Sequence, residues 1–438
     1  MSDTADQLLT ARWVIPIEPE GAILEHHSVA IADGRIVDVL PRDEARLRYG
    51  SAKEQVFDQH VLMPGLVNLH THAAMSLMRG LADDLPLMQW LEQAIWPTEG
   101  RHISAGFVRD GTLLAAAEML RGGITTCNDM YFYPDAAAEA FDQLGMRAVV
   151  GVTTIEFPTP YASSADEYLR KGLAARDQWR GHARIGFAIA PHAPYTVNDD
   201  TFGRVVDLAN ELDLPIHLHI HETAHEVSEA ARQQGMRPIA RLERLGVLGA
   251  NLIGVHAVHL DDDEIDLLAH HGVGIAHCPS SNMKLASGIA PVSRLLAKGI
   301  RVGLGTDGAA SNNRLDVLTE MRQAALLAKV ATGDASTLPA AQALRMATLS
   351  GAEALGLGDR IGSIVPGKRA DLCAIDISPI ETQPCFNPIS HLVYCAGREQ
   401  VSDVWVDGLK VVERRQLLQK TNSELLAVAR VWQNKLGN

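Results

Sequence analysis

The sequence predicts an α/β fold: a (β/α)8 TIM barrel carrying a small β-sandwich domain built from both chain ends. Three observations predict it. Eight short, nearly continuous apolar runs alternate with helix-like stretches across residues 65–360. The flanks, 1–64 and 361–438, carry shorter, alternating strands instead. His or Asp closes five of the eight apolar runs, which is where a barrel places its chemistry.

The barrel strands are expected at Leu66–His70, Ile124–Asp129, Ala148–Thr154, Ile185–Ala190, Ile216–His221, Leu252–His256, Gly274–Cys278 and Val302–Asp307. Each is short and apolar enough to be buried on both faces. Helical patterns fill the gaps. The clearest starts after Ser104, a good N-cap, and stops at Gly122-Gly123. Others are Ala165–Trp179, Asp199–Leu212, Glu226–Leu245, Asp262–His270, Pro291–Lys298 and Leu315–Val330. A doubly wound open sheet is the alternative, but the Gly-rich phosphate turn it needs after strand one is missing. In the flanks, strands are expected at Leu8–Val14, His27–Ala32, Arg35–Leu40, Gln55–Leu62, Ser363–Val365, Asp371–Ile375 and Val404–Leu409, with Asp407-Gly408 as a turn. Neither flank is large enough for its own core, so the two are expected to combine. An amphipathic helix, Asn422–Lys435, ends the chain.

Composition excludes several functions. Of 438 residues, 53 are acidic and 39 basic, a net charge of −14. That argues against a nucleic-acid-binding surface. No apolar run approaches the ~18 residues of a membrane span. The start, Met1-Ser2-Asp3-Thr4-Ala5-Asp6, lacks the basic and apolar segments of a signal peptide. The five cysteines (127, 278, 373, 385 and 395) are odd in number and form no CxxC, which points to a reducing, cytoplasmic setting.

The chemistry lies in the histidines. His70-Thr71-His72 closes strand one, and residues i and i+2 of an extended chain face the same side. Two imidazoles there can share a metal, or simply bond to backbone. His217, His219 and His221 share one face at the end of strand five, followed by Glu222. Alternation alone does not choose a ligand among them. His256 ends strand six, His192 strand four, and His277 lies in strand seven. Asp307 ends strand eight before Gly308, a position equally suited to capping the next helix. Three histidines and a carboxylate are a ligand set for Zn²⁺ with one position open for water. Such a metal lowers the pKa of its water to about 7. Glu222 adds a candidate proton shuttle. These residues alone predict a metal-dependent hydrolase.

Four motifs carry a further resemblance: 64–72 (PGLVNLHTH), 219–223 (HIHET), 277–285 (HCPSSNMKL) and 305–313 (GTDGAASNN). Through them the chain resembles the amidohydrolase superfamily over nearly its whole length. It is most similar to the deaminases of 5′-methylthioadenosine and S-adenosylhomocysteine. The 305–313 motif belongs to the deaminase and triazine-hydrolase branch, whereas 367–372 (GKRADL) is common to the superfamily. The resemblance implies one metal, zinc, held by His70, His72, His219 and Asp307. It implies Glu222 as the acid/base and His256 as the residue that polarises water or the tetrahedral centre. His217 and His221 then become packing or supporting residues. No lysine ends strand four, in keeping with a single metal.

The implied reaction is hydrolytic deamination. Activated water attacks C6 of adenine, Asp307 takes its proton and Glu222 protonates N1. Glu99 matches the position that holds ribose hydroxyls, although by itself it reads as a surface Glu on a helix. His192 is expected near the sugar or purine. Ser311 is expected at the purine edge or beside Asp307, or as the N-cap of the helix from Leu315. Met75, Leu77, Met88 and Trp90 are expected in a lid over the 5′ group. Relatives that hold a homocysteine carboxylate use arginines after strand three, and Arg170 and Lys171 do not align with such a site. The alternatives are a triazine-type chlorohydrolase and a guanine or cytosine deaminase, neither of which explains Glu99. A metal-free scaffold would have lost a ligand, and all four are present. A homo-oligomer, dimer or tetramer, is also implied. Nucleic-acid and membrane partners are not.

Overall fold

The structure is a computed structural model that describes residues 4–437. Met1–Asp3, half of the acidic start noted above, and Asn438 lie outside it. The chain opens with four strands, β1 (Gln7–Val14), β2 (Leu24–Ala32), β3 (Arg35–Pro41) and β4 (Lys53–Pro64). It then enters the barrel strands β5 (Leu66–Thr71), β6 (Ile124–Asp129), β7 (Arg147–Thr154), β8 (Ile185–Pro191), β9 (Ile216–Ile220), β10 (Leu252–His256), β11 (Gly274–His277) and β12 (Arg301–Leu304). All eight agree with the expected strands to within a few residues. They pair in parallel in chain order from β5 to β12. Almost every residue in them is buried. Such strands must be hydrophobic throughout because helices cover their outer face.

The seam between β12 and β5 is closed by polar groups. Asp307 N donates to His70 O at 3.0 Å. Thr306 N donates to Asn68 Oδ1 at 2.9 Å, and Asn68 Nδ2 donates to Thr306 Oγ1 at 2.8 Å. Gly305 is obligatory here: a Cβ would lie 2.9 Å from both His70 Cβ and Cys278 Sγ.

The flanks combine as expected. β13 (Leu372–Asp376), β14 (Val401–Val406), β15 (Leu409–Glu413) and β16 (Gln416–Leu417) join β1–β4 in one mixed sheet, ordered β16-β15-β14-β13-β4-β1-β2-β3. It encloses a core that includes Leu9, Val29, Phe57, Leu372 and Trp405. Its hairpin turns meet: Ala370 N donates to Gly34 O and Gly408 N to Ala370 O, both at 2.9 Å. Asp407 and Gly408 have φ 53° and 73°, the left-handed pair that a two-residue hairpin turn requires. Arg147 docks this sheet on the N-terminal end of the barrel. It donates to Asp371 Oδ2 at 2.7 Å, to Asp371 Oδ1 at 3.1 Å and to Asp407 Oδ1 at 2.9 Å.

Some expectations need correction. Ser363–Val365 is not a strand; Ile364 is buried and donates its N–H to Pro16 O at 2.9 Å. The long helix read at Glu226–Leu245 is two, Ala224–Gln234 and Pro238–Arg244. Gly235, at φ 72°, ends the first, and Pro238 starts the second. The helix after strand eight is Val317–Thr332, capped by Asp316, so Ser311 is not its cap. The helix Ala105–Arg121 is capped by Ser104 as read, and the last helix, Asn422–Leu436, packs Trp432 on it. Among the described residues no helix is long and apolar enough to cross a membrane.

Candidate active site and metal centre

The C-terminal ends of the barrel strands bring the predicted histidines together. His72 Nδ1 donates to Met130 O and His219 Nδ1 to His192 O, each at 2.6 Å. A ring nitrogen facing a carbonyl must carry the proton, so the Nε2 atoms of both keep their lone pairs. His70 Nδ1 lies 2.9 Å from His217 Nε2. The Nε2 of His70 is 3.3 Å from both His219 Nε2 and Asp307 Oδ1. His72 Nε2 is 3.4 Å from the same Asp307 oxygen. Lone pairs and a carboxylate thus converge in a buried space. Burial holds His70 down to about 4 and His219 well below its ordinary range, so protons do not relieve the repulsion. A divalent cation does, and this donor set suits zinc. A second grouping, His70, His256 and Asp307, is also close enough to share an ion.

Asp307 sits in a left-handed turn, φ 60°. Its Oδ1 accepts from Gly308 N and its Oδ2 from Ser281 Oγ, both at 2.7 Å. Burial works against its charge, but His70, His72 and His256 outweigh it and hold the carboxyl well below the usual range. Ser311 does not reach Asp307. It lies 3.1 Å from Ser281 Oγ, one step removed.

Glu222 is 5% exposed and its Oε1 has no hydrogen-bond partner. Burial, reinforced by Asp307, pushes its carboxyl up to about 8. Its Oε2 is 3.7 Å from His256 Nε2. The opposite His256 nitrogen, Nδ1, is 2.9 Å from Asn282 Oδ1 and donates to it. The Nε2 lone pair therefore faces a protonated Glu222.

One cavity of about 300 Å³ collects these groups. His72, His219, Glu222, His256, Asp307, Ser311, His192 and Glu99 all line it. Its apolar wall includes Leu87, Trp90, Leu91 and Ile95 from the segment after β5, with Ile155 and Phe157. Of the expected lid residues, Met75 and Trp90 line it, while Leu77 and Met88 do not. Burial raises Glu99 to about 7, against the pull of a 2.6 Å hydrogen bond from Tyr131 OH to its Oε1. His192 Nδ1 is 3.1 Å from Thr196 Oγ1.

His217 backs His70, as noted. His221 turns away, with Nδ1 3.1 Å from His259 O and Nε2 accepting from Ile239 N. Sequence reasoning missed Ser281, Asn282 and Tyr131. The first two stand inside a quoted motif, and Tyr131 lies two residues past the end of β6, on the rim where site residues gather.

A match to the amidohydrolase family spans residues 61–411. The 5-methylthioadenosine/S-adenosylhomocysteine deaminase of Saccharophagus degradans is 44% identical over 432 residues, 99% of this chain and 97% of the relative. That of Teredinibacter turnerae is 43% identical over 99% of this chain and 98% of its own. The crystal structure of a zinc-bound adenosine deaminase from Xanthomonas campestris is 51% identical, covers 99% of each chain and gives a TM-score of 0.97. A zinc complex of atrazine chlorohydrolase from Arthrobacter aurescens has a TM-score of 0.90 at 25% identity, over 97% of this chain and 99% of that one. On the barrel, its histidine-lined rim and the match over 61–411, this chain belongs to the amidohydrolase family.

Proposed function

We propose that the chain is a zinc-dependent hydrolase that deaminates the adenine ring of 5′-methylthioadenosine and S-adenosylhomocysteine, and of adenosine. Water replaces the C6 amino group, giving the inosine derivative and ammonia. The observation that carries this reading is one cavity lined by two carboxyls, one buried and one half-buried. Glu222, beside the histidine cage, is raised to about 8; Glu99, on the wall, is held by Tyr131.

His70, His72, His219 and Asp307 would hold the zinc. When bound, zinc is a Lewis acid that makes water acidic enough to attack at neutral pH. The rest falls to the protein. Asp307, held ionised well below the usual carboxyl range and aimed by Gly308 N and Ser281 Oγ, takes the water proton. Glu222 is a neutral acid at pH 7 and delivers its proton to N1, without which C6 is a poor electrophile. His256, oriented by Asn282, polarises the attacking water. Glu99 accepts the ribose hydroxyls, which selects a nucleoside over a free base. His192 borders the sugar, and Ser311 the purine edge. Glu99 also favours this reading over a triazine substrate, which has no hydroxyls to bind.

The same reading takes 65–360 as the catalytic barrel and 1–64 with 361–438 as one supporting domain. It places the enzyme in the cytoplasm, in keeping with five unpaired cysteines. It makes the enzyme a homo-oligomer, dimer or tetramer, which light scattering checks.

The test is ammonia release by the zinc-loaded protein from 5′-methylthioadenosine, S-adenosylhomocysteine, adenosine, adenine and guanine. Turnover of the thionucleosides but not of adenine is expected, and Glu99→Ala removes it. A metal-loaded protein that deaminates none of the nucleosides contradicts the assignment.

A further inference from the structure

Residues 129–131 form a three-residue junction at the end of β6. Asp129 Oδ1 accepts from Ala73 N at 2.7 Å, which fixes the turn just past His72. Met130 O accepts from His72 Nδ1 at 2.6 Å, which fixes that ring. Tyr131 OH donates to Glu99 Oε1 at 2.6 Å. The backbone of Tyr131 is itself held, because Thr153 Oγ1 donates to its carbonyl at 3.0 Å. One strand end therefore sets the position of a metal-cage histidine and of a carboxylate 32 residues earlier in the chain.

Glu99 needs this support. It lies on a single short helix, Trp96–His102, that follows an irregular π-turn, Leu91–Ile95. Among the described residues its carboxylate makes one hydrogen bond, to Tyr131. A carboxylate with one oxygen tied and the residue lining a cavity presents its other oxygen in a fixed direction. Both side chains line the cavity.

We propose that Tyr131 is a specificity-determining positioning residue, which aims Glu99 at the vicinal hydroxyls of a ribose and so couples sugar recognition to the metal cage. The inference rests on the nucleoside reading above. Burial and the adjacent Glu99 hold the phenol well above its ordinary range, so it remains a donor throughout the working pH.

Tyr131→Phe keeps the ring and removes the donor. With the best nucleoside substrate, KM is expected to rise about tenfold while kcat stays within about twofold, the size of one lost hydrogen bond to a charged group. Zinc content is expected to be unchanged. The preference for adenosine over 2′-deoxyadenosine is expected to shrink, and to shrink likewise in Glu99→Gln. The double variant is expected to be no worse than Glu99→Gln alone. Glu99→Asp, which draws the carboxylate away from an intact Tyr131, is expected to raise KM in the same way. An active wild type whose Tyr131→Phe and Glu99→Asp variants keep both KM and the ribose preference overturns this inference alone. A wild type that deaminates no nucleoside overturns the nucleoside reading, and this inference with it.

Discussion

At the N-terminal end of the barrel, Arg147 and Asp371 are 3% and 2% exposed, and every charged atom of the pair is answered. Nε and Nη2 of the arginine meet Asp371, Nη2 also meets Asp407, and Nη1 meets Ala183 O at 3.0 Å. At the C-terminal end, Glu222 is nearly as deeply buried, yet its Oε1 has no hydrogen-bond partner and its Oε2 lies 3.7 Å from a ring nitrogen of His256. The histidine nitrogens beside it face one another. Both ends bury ionisable groups, but only one gives them full partners. Paired burial holds two sheets together. Unpaired burial stores reactivity that a metal and a substrate will complete.

The comparison can be broken by exchanging its terms. Glu222→Gln is expected to lower kcat/KM about 10²- to 10⁴-fold, the range for a lost general acid. Its stability is expected to hold or rise. The unfolded carboxyl ionises near 4.5 while the folded one stays neutral to about 8, so Glu222 costs stability increasingly as pH climbs between those values. Arg147→Met is expected to do the reverse. Stranding buried Asp371 costs about 3–5 kcal/mol, read as an earlier denaturation midpoint, with kcat/KM of the folded fraction unchanged.

Smaller effects sharpen the same contrast. Asn282→Ala and Ser281→Ala remove partners of His256 and Asp307, and about 10- to 100-fold losses in activity or zinc affinity are expected in titrations of each. The pH profile gives the smallest effect. The donor form of Glu222 exists below about pH 8, so kcat/KM is expected to fall about tenfold per unit above it.

Much of this was legible in the sequence, and the part that was not has a common cause. Barrel strands reveal themselves because burial on both faces forces continuous apolar runs. The cage reveals itself because metal ligands use few residue types at strand ends. Tyr131 and Arg147 carry no such local mark, and Asn282 carries only its place in the 277–285 motif. Each earns its role from a partner 26 to 224 residues away, and that distance in sequence becomes a hydrogen bond only in the fold. The split at Gly235 and Pro238 was different. Its turn residues were present, and apolar periodicity on both sides masked them.

The most direct test measures denaturation midpoint and kcat/KM together in zinc-loaded wild type, Glu222→Gln and Arg147→Met. A crossed result is predicted: the glutamine variant is stable and slow, the methionine variant unstable and as fast per folded molecule. A glutamine variant that unfolds as early as the methionine variant, or a methionine variant that is equally slow, would contradict the division between the two ends.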